Sequence, residues 1–154
     1  MLRYGIDIHG TLAIRKPDGT LGRSTLFPLL EPLMRAWMTK GEMVFIISGP
    51  PQEQIEAELY DLGLYRDVHY FEALSMVDNV KRLYPKVKFW EHPDKPNHFW
   101  TDAETWNQIK GRLAQENGID IVIDDQSEYE PAMPRFTEFV LVQASVLGSR
   151  DIRR

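Results

Sequence analysis

Four short apolar runs constrain the fold of this chain more than any other feature of its sequence. Each run is rich in β-branched or aromatic residues and is followed by polar or turn residues; they span residues 4–8, 43–47, 119–123 and 139–142. Continuous apolar runs of this length are typical of strands that are buried on both faces, as in a parallel sheet. A fifth strand is predicted at residues 68–71.

Helical patterns separate these runs. Apolar residues recur at helical spacing over residues 29–38, 55–62 and 106–113, and a glycine lies beyond each segment: Gly41, Gly63 and Gly118. Thr101 and Glu104 have the spacing of a capping box and are predicted to begin the third helix. Strands that alternate with helices predict an α/β fold, a Rossmann-like three-layer sandwich with a mainly parallel central sheet.

A single α/β domain is predicted over residues 1–145, followed by a polar tail at residues 146–154. Residues 72–101 are the least regular part of the domain and are predicted to form an insert that serves as a partial lid. Within this insert, the pattern predicts a short helix at residues 76–83 and a short strand at residues 87–90.

A β-hairpin is predicted directly after the first strand. Residues 11–24 contain two short extended arms around the turn Pro17-Asp18-Gly19. Proline followed by aspartate and glycine favours a tight turn, because proline fixes φ and glycine accepts a positive φ. The hairpin is expected to project beyond the sheet as a flap.

The composition excludes several classes of function. The chain has 154 residues, no cysteine and a formal net charge of -5. Without cysteine, disulfides, thiolate-bound zinc, iron–sulfur clusters and thiol catalysis are ruled out. The acidic balance argues against general nucleic-acid binding, and no apolar run is long enough to span a bilayer. The N-terminus lacks the regions of a signal peptide, so a cytoplasmic location is expected.

Polar side chains follow three of the predicted strands. The first strand ends at Asp7, Ser48 follows the second run, and Asp124 and Asp125 follow the third. Because the carboxyl ends of parallel strands meet at one edge of the sheet, we expect these side chains to lie close together. Clustered carboxylates repel one another unless a cation neutralises them, and Mg²⁺ prefers carboxylate and water oxygens beside a substrate phosphate. The sequence therefore predicts a magnesium site.

Four motifs, in order, resemble those of the haloacid dehalogenase-like superfamily. Residues 7–12, Asp-Ile-His-Gly-Thr-Leu, are similar to its first signature, Asp-x-Asp-Gly-Thr, and residues 45–49 resemble the second, an apolar strand that ends in Ser or Thr. Lys110 fits the third, and residues 119–125 resemble the fourth, an apolar strand that ends in paired acids. The hairpin is similar to the flap that these proteins place over the active site. The resemblance spans residues 2–142.

This resemblance implies a magnesium-dependent phosphoric monoester hydrolase without a large cap domain. Asp7 would be the nucleophile that becomes an aspartyl-phosphate. Ser48 would hydrogen-bond the transferring phosphoryl oxygens, and Lys110 would counter the charge on Asp7 and the phosphoryl group. Thr11 and Gly49 would lie where substrate binds, and Thr11 could also pin the turn after Asp7.

The resemblance also implies the metal ligands and the kind of substrate. Asp7, Asp124 and Asp125 would hold magnesium together with the backbone carbonyl of His9. The substrate would be a phosphorylated small molecule or a macromolecular phosphate end, since an open site of this kind often accepts a large substrate or borrows a lid from a partner subunit. The sequence does not identify the substrate or the oligomeric state. A homo-oligomer is one of the states left open.

His9 departs from the family pattern. Phosphatases of this family usually carry a second aspartate here, which protonates the leaving oxygen and later activates water. A histidine can perform general acid–base chemistry, and its ordinary pKa of about 6.5 suits neutral pH. The alternative hypothesis is a binding or regulatory domain that kept the metal site and lost turnover.

The identity of the site lysine is a second open point. If one unbroken helix spans Lys110, that residue lies in its middle and its side chain could be solvated; if Gly111 breaks the helix, Lys110 lies at a helix start near the site. Lys81 is the competing candidate, although its position in the apolar pattern suits an exposed face. The histidines His69, His92 and His98 match no compact zinc-ligand spacing.

Overall fold

The structure is a computed structural model that describes residues 1–91 and 99–144. The strands are β1 (Arg3–Ile6), β2 (Ala13–Arg15), β3 (Leu21–Arg23), β4 (Met43–Ser48), β5 (Glu72–Ser75), β6 (Trp90–Glu91), β7 (Phe99–Trp100), β8 (Ile121–Asp124) and β9 (Glu138–Leu141). The helices are α1 (Phe27–Thr39), α2 (Gln52–Leu62), α3 (Met76–Leu83), α4 (Ala103–Asn117) and a short 3-10 helix, Ser127–Ala132. His92, His98 and the predicted polar tail at residues 146–154 lie outside the described residues.

The central sheet has five strands in the order β5-β4-β1-β8-β9. Every neighbouring pair in this sheet is parallel. All four apolar runs form strands of this sheet, as predicted. The residues of β1, β4 and β8 are largely buried between helices, whereas Val140 and Leu141 of the edge strand β9 are exposed. The three central strands, β4, β1 and β8, therefore bring their carboxyl ends to the same edge.

Two hydrophobic cores lie on opposite faces of the sheet and make the fold a three-layer sandwich. Ile46 of β4 packs in the core that contains buried residues of α1 and α2. Its neighbours Phe45 and Ile47 pack in the core that contains buried residues of α3 and α4. Successive residues of a strand point to opposite faces, which explains why a continuous apolar run is needed here. The predicted α/β three-layer architecture is confirmed.

The predicted fifth strand at residues 68–71 is wrong, because the strand is β5, directly after it. Asp67 has a positive φ of 66°, and the N–H of His69 donates to the carbonyl of Tyr65 at 2.8 Å, so the chain turns here. The N–H of Phe71 donates to the carbonyl of Val44 at 2.7 Å, and regular pairing with β4 begins at Glu72, opposite Phe45. Apolar content alone does not distinguish a turn with buried side chains from a strand.

The secondary structure predicted for the irregular segment at residues 72–101 is partly confirmed. The predicted helix at residues 76–83 is confirmed as α3, whereas the predicted strand at residues 87–90 is wrong in extent, since pairing with β7 begins only at Trp90. The predicted capping box is also wrong. Asp102 caps α4 by accepting from the N–H of Thr105, while the hydroxyl of Thr101 donates to the carbonyl of Lys88.

The predicted hairpin after the first strand is confirmed, while its role as a flap stays a prediction. Strands β2 and β3 pair antiparallel, and the N–H of Lys16 donates to the carbonyl of Thr20 at 2.7 Å across the turn. Asp18 accepts from the N–H of Thr20, and Gly19 takes the positive φ that the turn requires. In the part of the chain that the structure describes, no helix combines the length and apolar character needed to cross a membrane.

Candidate active site

Three neighbouring strands deliver the polar residues that the sequence singled out. Asp7 follows β1, Ser48 ends β4 and Asp124 ends β8, with β1 between the other two. The N–H of Asp7 donates to the carbonyl of Ile123 at 3.1 Å, which fixes the first carboxylate beside the end of β8. The parallel register therefore brings together residues more than one hundred positions apart.

Asp7, Asp124 and Asp125 form a carboxylate cluster. Each offers an oxygen that lies within 4.8 Å of those of the other two. Asp7 and Asp124 are buried, and Oδ1 of Asp125 is buried without a hydrogen-bond partner among the described residues. Burial raises the pKa of Asp125, and the charge of Asp124 adds to that effect.

Gly10 makes room for this cluster. A Cβ on Gly10 would lie 2.0 Å from Oδ2 of Asp125, and Gly10 has a φ of +89°. Any other residue would therefore be strained by its backbone and would collide with the carboxylate. The glycine after His9 thus allows the acids of β8 to approach the turn that follows β1.

Lys110 is the lysine of this site. Its Nζ donates to Oδ1 of Asp7 at 3.0 Å and also hydrogen-bonds Oδ2 of Asp124. Burial alone would lower the pKa of Lys110, but the charges of the two carboxylates outweigh it and raise that pKa, so the ammonium stays charged. Burial also raises the pKa of Asp7 to about 7, against the lowering effect of Lys110. With all three carboxylates ionised, the cluster and one ammonium carry two excess negative charges.

Lys110 reaches the site from the middle of an unbroken helix, which differs from both sequence interpretations. The helix α4 does not break at Gly111, yet Lys110 is only 2% exposed. Gly111 instead allows the 3-10 helix to cross α4 closely, because a Cβ there would lie 2.1 Å from the carbonyl oxygen of Ala132. Lys81 is exposed on α3, with Nζ 5.4 Å from the ring centre of Phe89.

Thr11 fixes the turn that carries Asp7. Its hydroxyl donates to Oδ2 of Asp7 at 3.3 Å, and its carbonyl accepts from the hydroxyl of Ser24 at 2.5 Å. The N–H groups of Thr11 and Leu12 both donate to the carbonyl of Ile8. Thr11 is fully buried beneath the turn, so the structure favours its positioning role over direct contact with substrate.

Ser48 and Gly49 lie at the end of β4. The hydroxyl of Ser48 is buried without a hydrogen-bond partner among the described residues. An unpaired buried hydroxyl is costly, so this atom is suited to donate to a bound group. A Cβ on Gly49 would lie 3.3 Å from the indole of Trp106, so glycine keeps the space between β4 and α4 open.

His9 has a partner that sequence reasoning missed. Its Nε2 lies 2.7 Å from Oε2 of Glu58 on α2, and Gln54 donates to the other oxygen of that carboxylate at 3.1 Å. Burial would raise the pKa of Glu58, but its hydrogen bond with His9 and the attraction between the two side chains hold it below its ordinary value. The sequence places Glu58 three residues after Ile55, beside the apolar face of its helix, but contains no pattern that points to His9.

A pocket of about 220 Å³ opens above these residues. Asp7, His9 and Lys110 line it, together with side chains of the loop after β4, the start of α3, and α4. The pocket therefore places the proposed nucleophile, a histidine and a charged lysine on one accessible surface. It is large enough for a phosphoryl group with a small substituent.

Comparisons with known proteins do not identify the family. No protein-family model matches the chain, and no curated protein matches it significantly. A solved structure of a hypothetical protein from Xanthomonas campestris is similar over 84% of this chain, with 16% sequence identity and a TM-score of 0.38. This chain covers 57% of the length of that protein.

Proposed function

We propose that this protein is a magnesium-dependent phosphoric monoester hydrolase of the haloacid dehalogenase-like superfamily, with Asp7 as its nucleophile. One observation carries the proposal: Asp7, Asp124, Asp125 and Lys110 converge at the carboxyl edge of the sheet, beside an accessible pocket. Strand-end carboxylates and a buried lysine in this arrangement suit nucleophilic attack on phosphorus better than they suit the binding of a neutral ligand.

The donor set fits magnesium. The two excess negative charges of the cluster match one divalent cation, and Oδ1 of Asp125 lacks a protein partner among the described residues. Asp7, Asp124 and Asp125 would hold the ion together with the carbonyl of His9. The N–H groups of Leu12 and Ala13 donate to Ile8 rather than to that carbonyl. When bound, magnesium would neutralise negative charge on the phosphoryl oxygens.

The chain's own residues account for two chemical steps. A carboxylate oxygen of Asp7 attacks phosphorus, the bond to the leaving oxygen breaks, and Asp7 becomes an aspartyl-phosphate. Water then attacks the same phosphorus, the bond to Asp7 breaks, and inorganic phosphate is released. Lys110 offsets charge near Asp7 throughout, and the unpaired hydroxyl of Ser48 donates to a phosphoryl oxygen.

His9 lines the pocket with Asp7 and, under this proposal, moves the proton in both steps. The carboxylate of Glu58 accepts from Nε2, which orients the imidazole. Nδ1 is then the nitrogen that protonates the leaving oxygen and afterwards accepts a proton from the attacking water. A histidine held by a glutamate thus takes the place of the usual aspartate.

The test is hydrolysis of phenyl phosphate with magnesium by the wild type and by Asp7→Asn. The substitution keeps the size of the side chain and removes the nucleophile, so activity should fall to background. Asp67→Asn is the matched control, because Asp67 is exposed and asparagine tolerates its positive φ. Undiminished activity in Asp7→Asn would refute the assigned mechanism.

The alternative, a metal-binding domain without turnover, is favoured by one contact. Lys110 already bonds both Asp7 and Asp124, so a metal must share these carboxylates with an ammonium. His9 variants separate the two hypotheses. An inert wild type with an active His9→Asp variant indicates lost chemistry, whereas an active wild type with a much slower His9→Ala variant makes histidine the working acid–base group.

The substrate under this proposal is a phosphorylated small molecule or a macromolecular phosphate end, and a cytoplasmic location remains a prediction. A panel of phosphorylated metabolites and nucleic-acid ends, assayed with magnesium, would distinguish the two kinds of substrate. Hydrolysis of a nucleic-acid end in preference to every small ester would favour the macromolecular one.

A further inference from the structure

Apart from Asp7, His9 and Lys110, the described residues that line the pocket above Asp7 carry no charge. When Asp7, His9, Lys110 and the backbone of Gly49 are set aside, two of the remaining side chains are glutamines, Gln54 and Gln126. The other described lining residues are apolar or aromatic: Pro50, Pro51, Met76, Val77, Trp106 and Tyr129. The part of the substrate beyond the phosphoryl group therefore meets apolar surface and amide groups.

Two aromatic rings border the site lysine. Trp106 lies one turn before Lys110 on α4, and residues four apart share a helix face. The ring centre of Tyr129 lies 4.6 Å from Nζ of Lys110. Trp106 also approaches the position of a Cβ on Gly49 to 3.3 Å, so the indole stands beside the space in which the ester would bind.

The opposite wall is held by hydrogen bonds. The hydroxyl of Ser75 donates to the carbonyl of Pro50 at 2.6 Å, and the N–H of Val77 donates to the carbonyl of Gly49 at 3.1 Å. These bonds tie the loop after β4 to the start of α3. The apolar surface facing Trp106 is thus preformed, which reduces the entropy lost when a ligand binds.

We propose that the substrates of this site are phosphate monoesters whose leaving group is uncharged and bears a flat apolar ring that packs against Trp106. The inference rests on the proposed function and narrows its substrate class. A second anionic group would lose water in this pocket, where Lys110 is already bonded to Asp7 and Asp124 and His9 is already paired with Glu58. The pocket is also smaller than the about 300–1,000 Å³ typical of sites that enclose drug-sized ligands, which favours a small ester.

Binding of non-hydrolysable phosphonates in the presence of magnesium tests this inference without requiring turnover. Isothermal titration calorimetry would compare phenylphosphonate, methylphosphonate and 4-carboxyphenylphosphonate. We expect the phenyl compound to bind about tenfold more tightly than the methyl compound, and a para carboxylate to weaken binding by about tenfold or more. Equal affinities for the three phosphonates, or preference for the charged one, would overturn the inference.

Variants of Trp106 identify the ring that provides the selectivity. Trp106→Phe should keep most of the preference for phenyl over methyl, whereas Trp106→Leu, which retains apolar packing, should lose it. Tyr60→Leu is the control, since Tyr60 is an exposed aromatic residue on α2. If Trp106→Leu unfolds, the comparison of the three phosphonates in the wild type still tests the preference for an uncharged ring.

The failure of this inference is distinguishable from that of the proposed function. Selective phosphonate binding with no hydrolysis of any ester would support the ligand preference of the pocket and refute the hydrolase. Asp7-dependent hydrolysis that favours charged leaving groups would refute the substrate class alone. If no phosphonate binds at saturating magnesium, both are refuted.

Discussion

Replacement of Lys110 by methionine tests whether its ammonium compensates the charge of the buried carboxylates in the site. Methionine has a similar length and apolar volume, so the change removes the ammonium with little loss of packing. Two buried carboxylates, Asp7 and Asp124, then lose their shared cation. Breaking a buried ion pair by removing one partner costs about 3–5 kcal/mol. For a domain of this size, that loss lowers Tm by about 6–20 °C.

The assay is urea denaturation, carried out once on the metal-free protein and once in the presence of magnesium. The loss of stability in Lys110→Met should grow as the pH rises through about 7, because wild-type Asp7 then ionises beside the ammonium. As the pH falls, Asp7 becomes protonated, since its pKa is already raised to about 7 with the lysine present and rises further without it. The loss should therefore shrink at low pH, and magnesium should recover part of it at high pH.

Lys81→Met is the matched control. Lys81 is an exposed lysine on α3, and its loss should cost less than about 1 kcal/mol. If Lys110→Met destabilises the protein no more than this control at high pH, the buried ion pairs do not hold the site together. The reasoning about charge at this edge of the sheet would then be wrong.

Three further outcomes are expected. Gly10→Ala should abolish the rise of Tm with magnesium, because its Cβ meets Asp125, whereas Gly19→Ala, with a similar φ and open space, should keep that rise and cost about 1–2 kcal/mol. Gly111→Ala should push the 3-10 helix off α4, cost about 1–3 kcal/mol in urea denaturation and lower kcat. Because the pKa of Asp7 is raised in the metal-free fold, protonated Asp7 contributes its full stabilisation at pH values below the pKa of the unfolded chain, and this contribution is lost as pH rises through about 7. Magnesium needs the ionised carboxylate, so the stabilisation of the protein by magnesium in thermal melts should grow from about pH 5.5 to about pH 8.

The layered architecture was accessible from the sequence because burial on both faces demands continuous apolar strands. The position of β5 was not, since His69 and Tyr70 are buried in a turn that an apolar pattern cannot distinguish from a strand. The clustering of Asp7 with Asp124 followed from topology alone, because parallel neighbours end at one edge.

Two features of the site required coordinates. Periodicity places Lys110 on a helix but does not show that its side chain extends through a buried layer to two carboxylates. The contact between His9 and Glu58 joins residues forty-nine positions apart on different elements, and no local pattern specifies such a pair. Side-chain direction and long-range pairing are properties of the packed chain, whereas apolar period is a property of the segment.

Peptide mapping of the wild-type protein, acid-quenched during steady-state hydrolysis of phenyl phosphate with magnesium, tests the central claim most directly. A phosphoryl group should be found on the carboxylate of Asp7, and it should be absent from Asp7→Asn treated in the same way. Turnover with no phosphoryl group on Asp7, or with the group on another residue, would contradict the assignment of Asp7 as the nucleophile.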